Sequence, residues 1–147
     1  MEADMTTDIK ATINTLFDEV INKGHLETID DVFDPDFVDH GPGPDLHGRE
    51  AFKGAVAAWR GAMSGLRCEV SHLIVDGDTA AWLVHTTGTH TGDTLGFPAT
   101  GKHIDTVSAN LAVFRDGKVV EHWAEQGMLA TLQQLGVIPA MAPQPVS

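Results

Sequence analysis

His103 and Asp105 stand two apart at the start of the stretch HIDTVSANLAVFR. On a strand that spacing puts both side chains on one side. His103, Asp105, Val107, Ala109, Leu111 and Val113 form the more apolar of the two faces, so this face is expected to look into the core and any cavity there. A carboxylate against apolar walls can serve as base or acid near neutral pH, with His103 beside it to hold or relay the proton. The plain alternative is that both sit at the strand's frayed start and meet water. A second concentration is VVEHWAEQG at 119–127. There His122 alternates with Val120, Ala124 and Gln126, and Trp123 alternates with Glu121 and Glu125. Only one of these sets can face inward unless a bulge intervenes. In FVDHGPG, Asp39 could orient the ring of His40, or His40 could simply brace the loop.

Other chemistries lack their residues. Eight histidines invite a metal, but there is no His-x-x-x-His helix or dense ligand cluster, and His103-x-Asp105 alone is too little. No metal and no cofactor are expected. The strained nucleophile elbow of a Ser–His–Asp hydrolase and the glycine-rich phosphate loop are both missing. Cys68, the single cysteine, lies in an alternating apolar stretch and reads as a buried structural thiol. His85 reads as a satisfied core or surface histidine. His90, among the glycines of GTHTG, reads as a turn brace.

The elements that must position these groups follow from periodicity. Ile9, Ile13, Leu16, Phe17, Val20 and Ile21 fall at helical spacing, with Thr6 or Thr7 as a cap and Gly24 as the stop. A short second helix is expected in LETIDDVF, ending before Pro35, and DPDFVDHGPGPDLHG reads as an extended loop. A third helix should run from Arg49 to Met63, with Phe52, Val56, Trp59 and Met63 as its buried stripe. Four strands follow, in LRCEVSHLIV, TAAWLVHTTGTHTG, HIDTVSANLAVFR and KVVEHWAEQ, with tight turns at DGD and DG. DTLGFPATGK should be a mobile loop, MLATLQQLG a last short helix, and residues 1–7 and 139–147 loose tails.

Helices followed by antiparallel strands define an α+β class, in one domain of 147 residues. A composition of 42% hydrophobic and 20% charged residues is that of a globular protein. With 9 basic against 21 acidic residues, the net charge of −12 repels phosphate backbones and anionic lipids. Neither nucleic acid nor membrane is an expected partner. The acidic start carries no signal-peptide core, so a cytoplasmic location is expected.

The strings LFDEVINKGHLETIDDVFDPDFVDH, GREAFK, GTHTGDTLGFPATGK, FRDGKVVEHW and TLQQLG, in this order from about residue 9 to 138, resemble the SnoaL-like polyketide cyclase family of the nuclear transport factor 2-like superfamily. The resemblance implies a cone-shaped α+β barrel: a curved antiparallel sheet wrapped round a pocket and closed by about three N-terminal helices. It implies a homodimer or higher oligomer, and aldol ring closure of a small hydrophobic molecule without metal or cofactor. Many members read Trp-Asp-x-x-Asp where this chain reads Trp123, Ala124, Glu125, Gln126, Gly127, so both usual aspartates are replaced. The match at 124 implies that His122, Ala124 and Gln126 face the cavity, and the likeness of FVDHGPG to the family's loop histidine puts His40 at the pocket mouth. The resulting expectation is an acid/base site of Asp105, His103, His40 and His122, with Gln126, Trp59, Phe52 and Trp123 against the substrate. Isomerisation, dehydration, epoxide hydrolysis or catalytically silent ligand binding on the same fold are the alternatives.

Overall fold

The computed structural model describes residues 2–93 and 97–139. Helix α1 (Glu2–Thr15) continues directly into a π-helical segment (Leu16–Asn22). The expected stripe is the buried one: Ile9, Ile13, Leu16, Phe17, Val20 and Ile21 are all at most 7% exposed. The helix begins at Glu2, ahead of the expected threonine cap. It ends at Gly24, whose φ of +80° only glycine adopts readily. A Cβ there would lie 2.7 Å from Nε of Arg60. That close approach lets the Arg60 guanidinium donate to the last carbonyls of the helix, Ile21 and Asn22.

A 3-10 turn (Leu26–Thr28) and helix α2 (Ile29–Val32) lead into strand β1 (Phe33–His40). Here the loop expected at DPDFVDHGPGPDLHG is corrected. Its first half is strand, despite Pro35, and Phe33 and Phe37 on its inner face are almost wholly buried. A short β2 (Leu46–His47) and helix α3 (Arg49–Ala62) follow. Strands β3 (Met63–Asp76), β4 (Thr79–His90), β5 (His103–Arg115) and β6 (Lys118–Glu125), then helix α4 (Met128–Gln134), fall close to their expected positions. Part of DTLGFPATGK and the end of the tail lie outside the described residues.

The six strands run in the order β2-β1-β6-β5-β4-β3, as one curved, unclosed sheet. All neighbours are antiparallel except β1 and β6, which are parallel with Asp39 opposite His122 and His40 opposite Trp123. The α1 stripe and α3 pack on the concave face. There Phe33, Phe37 and Phe52 meet ring to ring at 4.3–5.4 Å, and Phe17 meets Trp82 edge-on at 6.2 Å. Asn22 ties the helix end to the sheet through both ends of its carboxamide. Its Oδ1 accepts from the Cys68 N–H at 2.7 Å, and its Nδ2 donates to the Cys68 carbonyl at 2.9 Å.

Cys68 is buried, as expected, and desolvation pushes its thiol up to about 11, opposed by the contact with Thr86. The thiolate is therefore scarce at neutral pH, and the sulfur is enclosed as well. Iodoacetamide should leave the folded protein unlabelled at neutral pH and modify it rapidly in denaturant. Labelling in buffer without denaturant, read by mass spectrometry, would contradict this packing.

Candidate active site

The concave face of the sheet does not pack fully against the helices. It lines a partly open cavity of about 400 Å³, within the ordinary range for small-molecule sites. Its walls are largely apolar. Phe17 and Ile21 come from the first helix, Phe52, Val56 and Trp59 from α3, and Leu135 from beyond α4. The Gly41–Pro44 turn stands at one side. Gln134 fastens α4 over the sheet by accepting the Asp105 N–H at 2.7 Å and donating to the Asp105 carbonyl at 2.9 Å. It serves the edge of β5 where β6 has already ended.

The polar groups on this wall come from alternating positions. On β5 the inner set is Ile104, Thr106, Ser108 and Asn110, followed by Ala112 and Phe114 in the core. The expected assignment of faces on β5 is thus inverted. His103 and Asp105 are exposed and lie on the outer side of the sheet, together with Val107 at 54% and Leu111 at 39% exposure. Asp105 pairs there with His85 at 2.6 Å, so His85 is the satisfied surface histidine expected. The error has a physical cause. Counting apolar residues finds the inner face of a strand that abuts a packed core, but this strand abuts a cavity lined by Thr, Ser and Asn.

On β6 the inward set is the one implied by the resemblance: His122 and Gln126 line the cavity, and Ala124 is buried opposite Asn110. A register shift between Val113 and Phe114 of β5, opposite 119–121, makes Val119 rather than Val120 the core residue. Trp123 points outward. It is 36% exposed and stacks on His40 at 5.1 Å. Of the expected substrate contacts, Phe52, Trp59 and Gln126 line the cavity and Trp123 does not.

His40 departs from expectation in the same way. Its ring turns away from Asp39 and sits between Asp45 (Nδ1, 2.9 Å) and Glu121 (Nε2, 2.6 Å). Glu121 first and Asp45 second hold the imidazolium above its ordinary 6.5. A raised folded-state value means that this contact stabilises the fold fully below the unfolded value and fades as pH rises through the folded one. The melting-temperature advantage of wild type over His40→Gln should therefore be full just below the ordinary imidazole value of about 6.5 and shrink as pH rises above it. A gap that widens with pH in calorimetry would refute the assignment.

Asp39 instead serves His122. It is 8% exposed and is the only carboxylate on the cavity wall among the described residues. Its Oδ1 lies 2.5 Å from Nδ1 of His122, across the parallel β1–β6 pairing. The other ring nitrogen, Nε2, lies 3.0 Å from Oδ1 of Asn110. Asn110 in turn donates from Nδ2 to Ser108 Oγ at 3.2 Å, and Trp82 stacks beneath the imidazole at 5.8 Å. An imidazolium satisfies both oxygens with its two N–H groups. A neutral ring is satisfied if the Asn110 carboxamide turns over to offer N–H. The site can thus hold His122 in either protonation state without moving the ring. The pairing of Asp39 with His122 was not legible in the sequence, because it depends on which strand lies beside β6. Asn110 carried a weak signal, as the last of three polar residues between Ile104 and Ala112 on one face.

The curved sheet and its helices make up the nuclear transport factor 2-like fold. Within it, the profile of the SnoaL-like polyketide cyclase matches residues 11–135, and the chain belongs to that family. Aklanonic acid methyl ester cyclase DnrD of Streptomyces peucetius is 32% identical over 124 residues, 81% of this chain and 79% of that protein. IdmH of Streptomyces antibioticus, provisionally assigned as a polyketide cyclase, matches with a TM-score of 0.75 and 31% identity over 87% of this chain and 98% of its own. AclR of Streptomyces galilaeus, provisionally assigned as a hydroxylase, matches with a TM-score of 0.79 and 26% identity over 97% of this chain and 87% of its own.

Proposed function

We propose that this protein is an acid/base catalyst acting on a hydrophobic carbonyl compound, with His122 as the proton carrier. The observation that carries the reading is the Asp39–His122–Asn110 array set in a mostly apolar cavity. Asp39 holds Nδ1 and fixes the ring, which leaves Nε2 as the atom that exchanges its proton. Neutral His122 removes a proton from the carbon beside the carbonyl. The substrate C–H takes the place of Asn110 at Nε2 in this step, while Gln126 can donate to the enolate oxygen. The enolate carbon attacks a second carbonyl of the same molecule, a C–C bond forms, and Nε2 returns its proton to the alkoxide. If no second carbonyl is in reach, the proton goes back to another carbon and the result is isomerisation.

The relative named aklanonic acid methyl ester cyclase supplies a probe, aklanonic acid methyl ester. Incubation in deuterium oxide should give a ring-closed product, or deuterium at the carbon beside the ketone. Saturable binding with neither outcome would reject catalysis. It would favour the second reading, a silent binding module, which rests on Ala124 and Gly127 standing where the family usually has aspartates. Gly127 adopts φ +52°, and a Cβ there would lie 3.0 Å from the Val107 carbonyl, so an aspartate would strain this backbone.

A further inference from the structure

His90 ends β4 and is fully enclosed, and it stands apart from the Asp39–His122–Asn110 array. Its main chain is paired with the returning loop, donating to the Lys102 carbonyl and accepting from the Gly101 N–H, both at 2.8 Å. Its side chain is anchored on the same loop. Nδ1 lies 3.2 Å from the Thr100 main-chain N–H and 3.0 Å from Thr100 Oγ1. A main-chain N–H can only donate, so Nδ1 is an acceptor and the proton of the neutral ring sits on Nε2. That Nε2 is buried and has no hydrogen-bond partner among the described residues, while His90 is part of the cavity wall. Unpaired buried donors are uncommon, and a loop that fixes the tautomer from behind leaves this one directed away from it.

Met63, the partner of His90 across the β3–β4 ladder, forms a small buried cluster with Ile104 and Leu135, against which Trp59 packs. Among the described residues no oxygen accepts from this donor. Asn110, in contrast, pairs with Trp82, eight positions earlier on β4. The two polar stations therefore stand toward opposite ends of one wall.

We propose that His90 Nε2–H, which the wall side chains cover, is a ligand-binding donor that takes a neutral acceptor oxygen (a ketone, quinone or ester carbonyl) once a ligand parts them, at the end of the cavity remote from His122. The assignment rests on the cavity being the ligand site, and it concerns binding rather than proton transfer, so His90 is a specificity residue.

The test uses 1-tetralone and its hydrocarbon analogue tetralin, followed by tryptophan fluorescence and by NMR of the histidine ring N–H. Wild type should bind the ketone more tightly than the hydrocarbon, and the His90 Nε2–H resonance should move with the ketone alone. His90→Gln keeps an N–H near that place and should keep the preference. His90→Phe should lose about tenfold of it, the scale of one hydrogen bond. A resonance that ignores the ketone, a ketone that does not bind, or a His90→Phe variant with the preference intact would overturn the proposal. The wild-type NMR measurement stands even if the phenylalanine variant does not fold. Because no turnover is read, failure of catalysis would leave the result unaffected. Conversely, His122→Gln would sharply reduce exchange yet leave the His90 response in place.

Discussion

His122→Gln is expected to reduce turnover, or deuterium exchange beside the carbonyl, by about 10²- to 10⁴-fold, the range for loss of a positioned general base. Glutamine can span the gap between Asp39 and Asn110 and preserve the wall, but it cannot take up a proton at neutral pH. Ligand affinity should therefore change little, so that kcat carries the loss. Asp39→Asn should produce a smaller fall of the same kind, because the amide still meets Nδ1 but no longer opposes the charge on the ring. Retention of activity within a few-fold in His122→Gln would remove the base from the scheme. So would a loss confined to KM, since that marks uniform binding rather than proton transfer.

Phe37→Ala is expected to destabilise the fold by about 3–5 kcal/mol, the usual cost of emptying a buried aromatic site. Phe37 has no solvent exposure and touches Phe33 at 4.3 Å and Phe52 at 5.4 Å, so neighbouring rings cannot easily close the void. At about 2–4 °C per kcal/mol for a chain of this size, the melting temperature should fall by roughly 10 °C. Phe37 shares its face of β1 with Asp39, and residual activity should fall with stability because the carboxylate loses its support. A loss below about 1 kcal/mol in urea titration would mean that β1 is not a core strand.

Helical and strand elements were legible wherever one face is close-packed. The stripe from Ile9 to Ile21, the Gly24 stop, helix α3 and all four long strands stand close to where periodicity puts them. The reading failed where packing is absent by design. On β5 the cavity exchanges an apolar lining for Thr106, Ser108 and Asn110, and the exposed Val107 and Leu111 on the other side completed the inversion. It failed again at β1, where Pro and Gly obscured a strand anchored by Phe33 and Phe37. Without that strand, the sequence offers Asp39 only its neighbour His40 and not its partner across the sheet, His122. The cavity face of β6 followed from the family likeness, not from alternation, which left both faces open.

The parallel contact between β1 and β6 has a consequence for when the protein becomes competent. Asp39 and His122 are 83 positions apart in the chain, and they meet only after the whole β3–β4–β5–β6 meander has formed and swung back to the first strand. Contacts of such long sequence separation form late, since the chain must be closed into a large loop before they repay the lost entropy. A partly folded chain could hold most of its hydrogen-bonded ladder and still have no base. Recovery of catalysis during refolding should accordingly lag behind recovery of strand signal, and the proton carrier would be the last part of the machine to arrive.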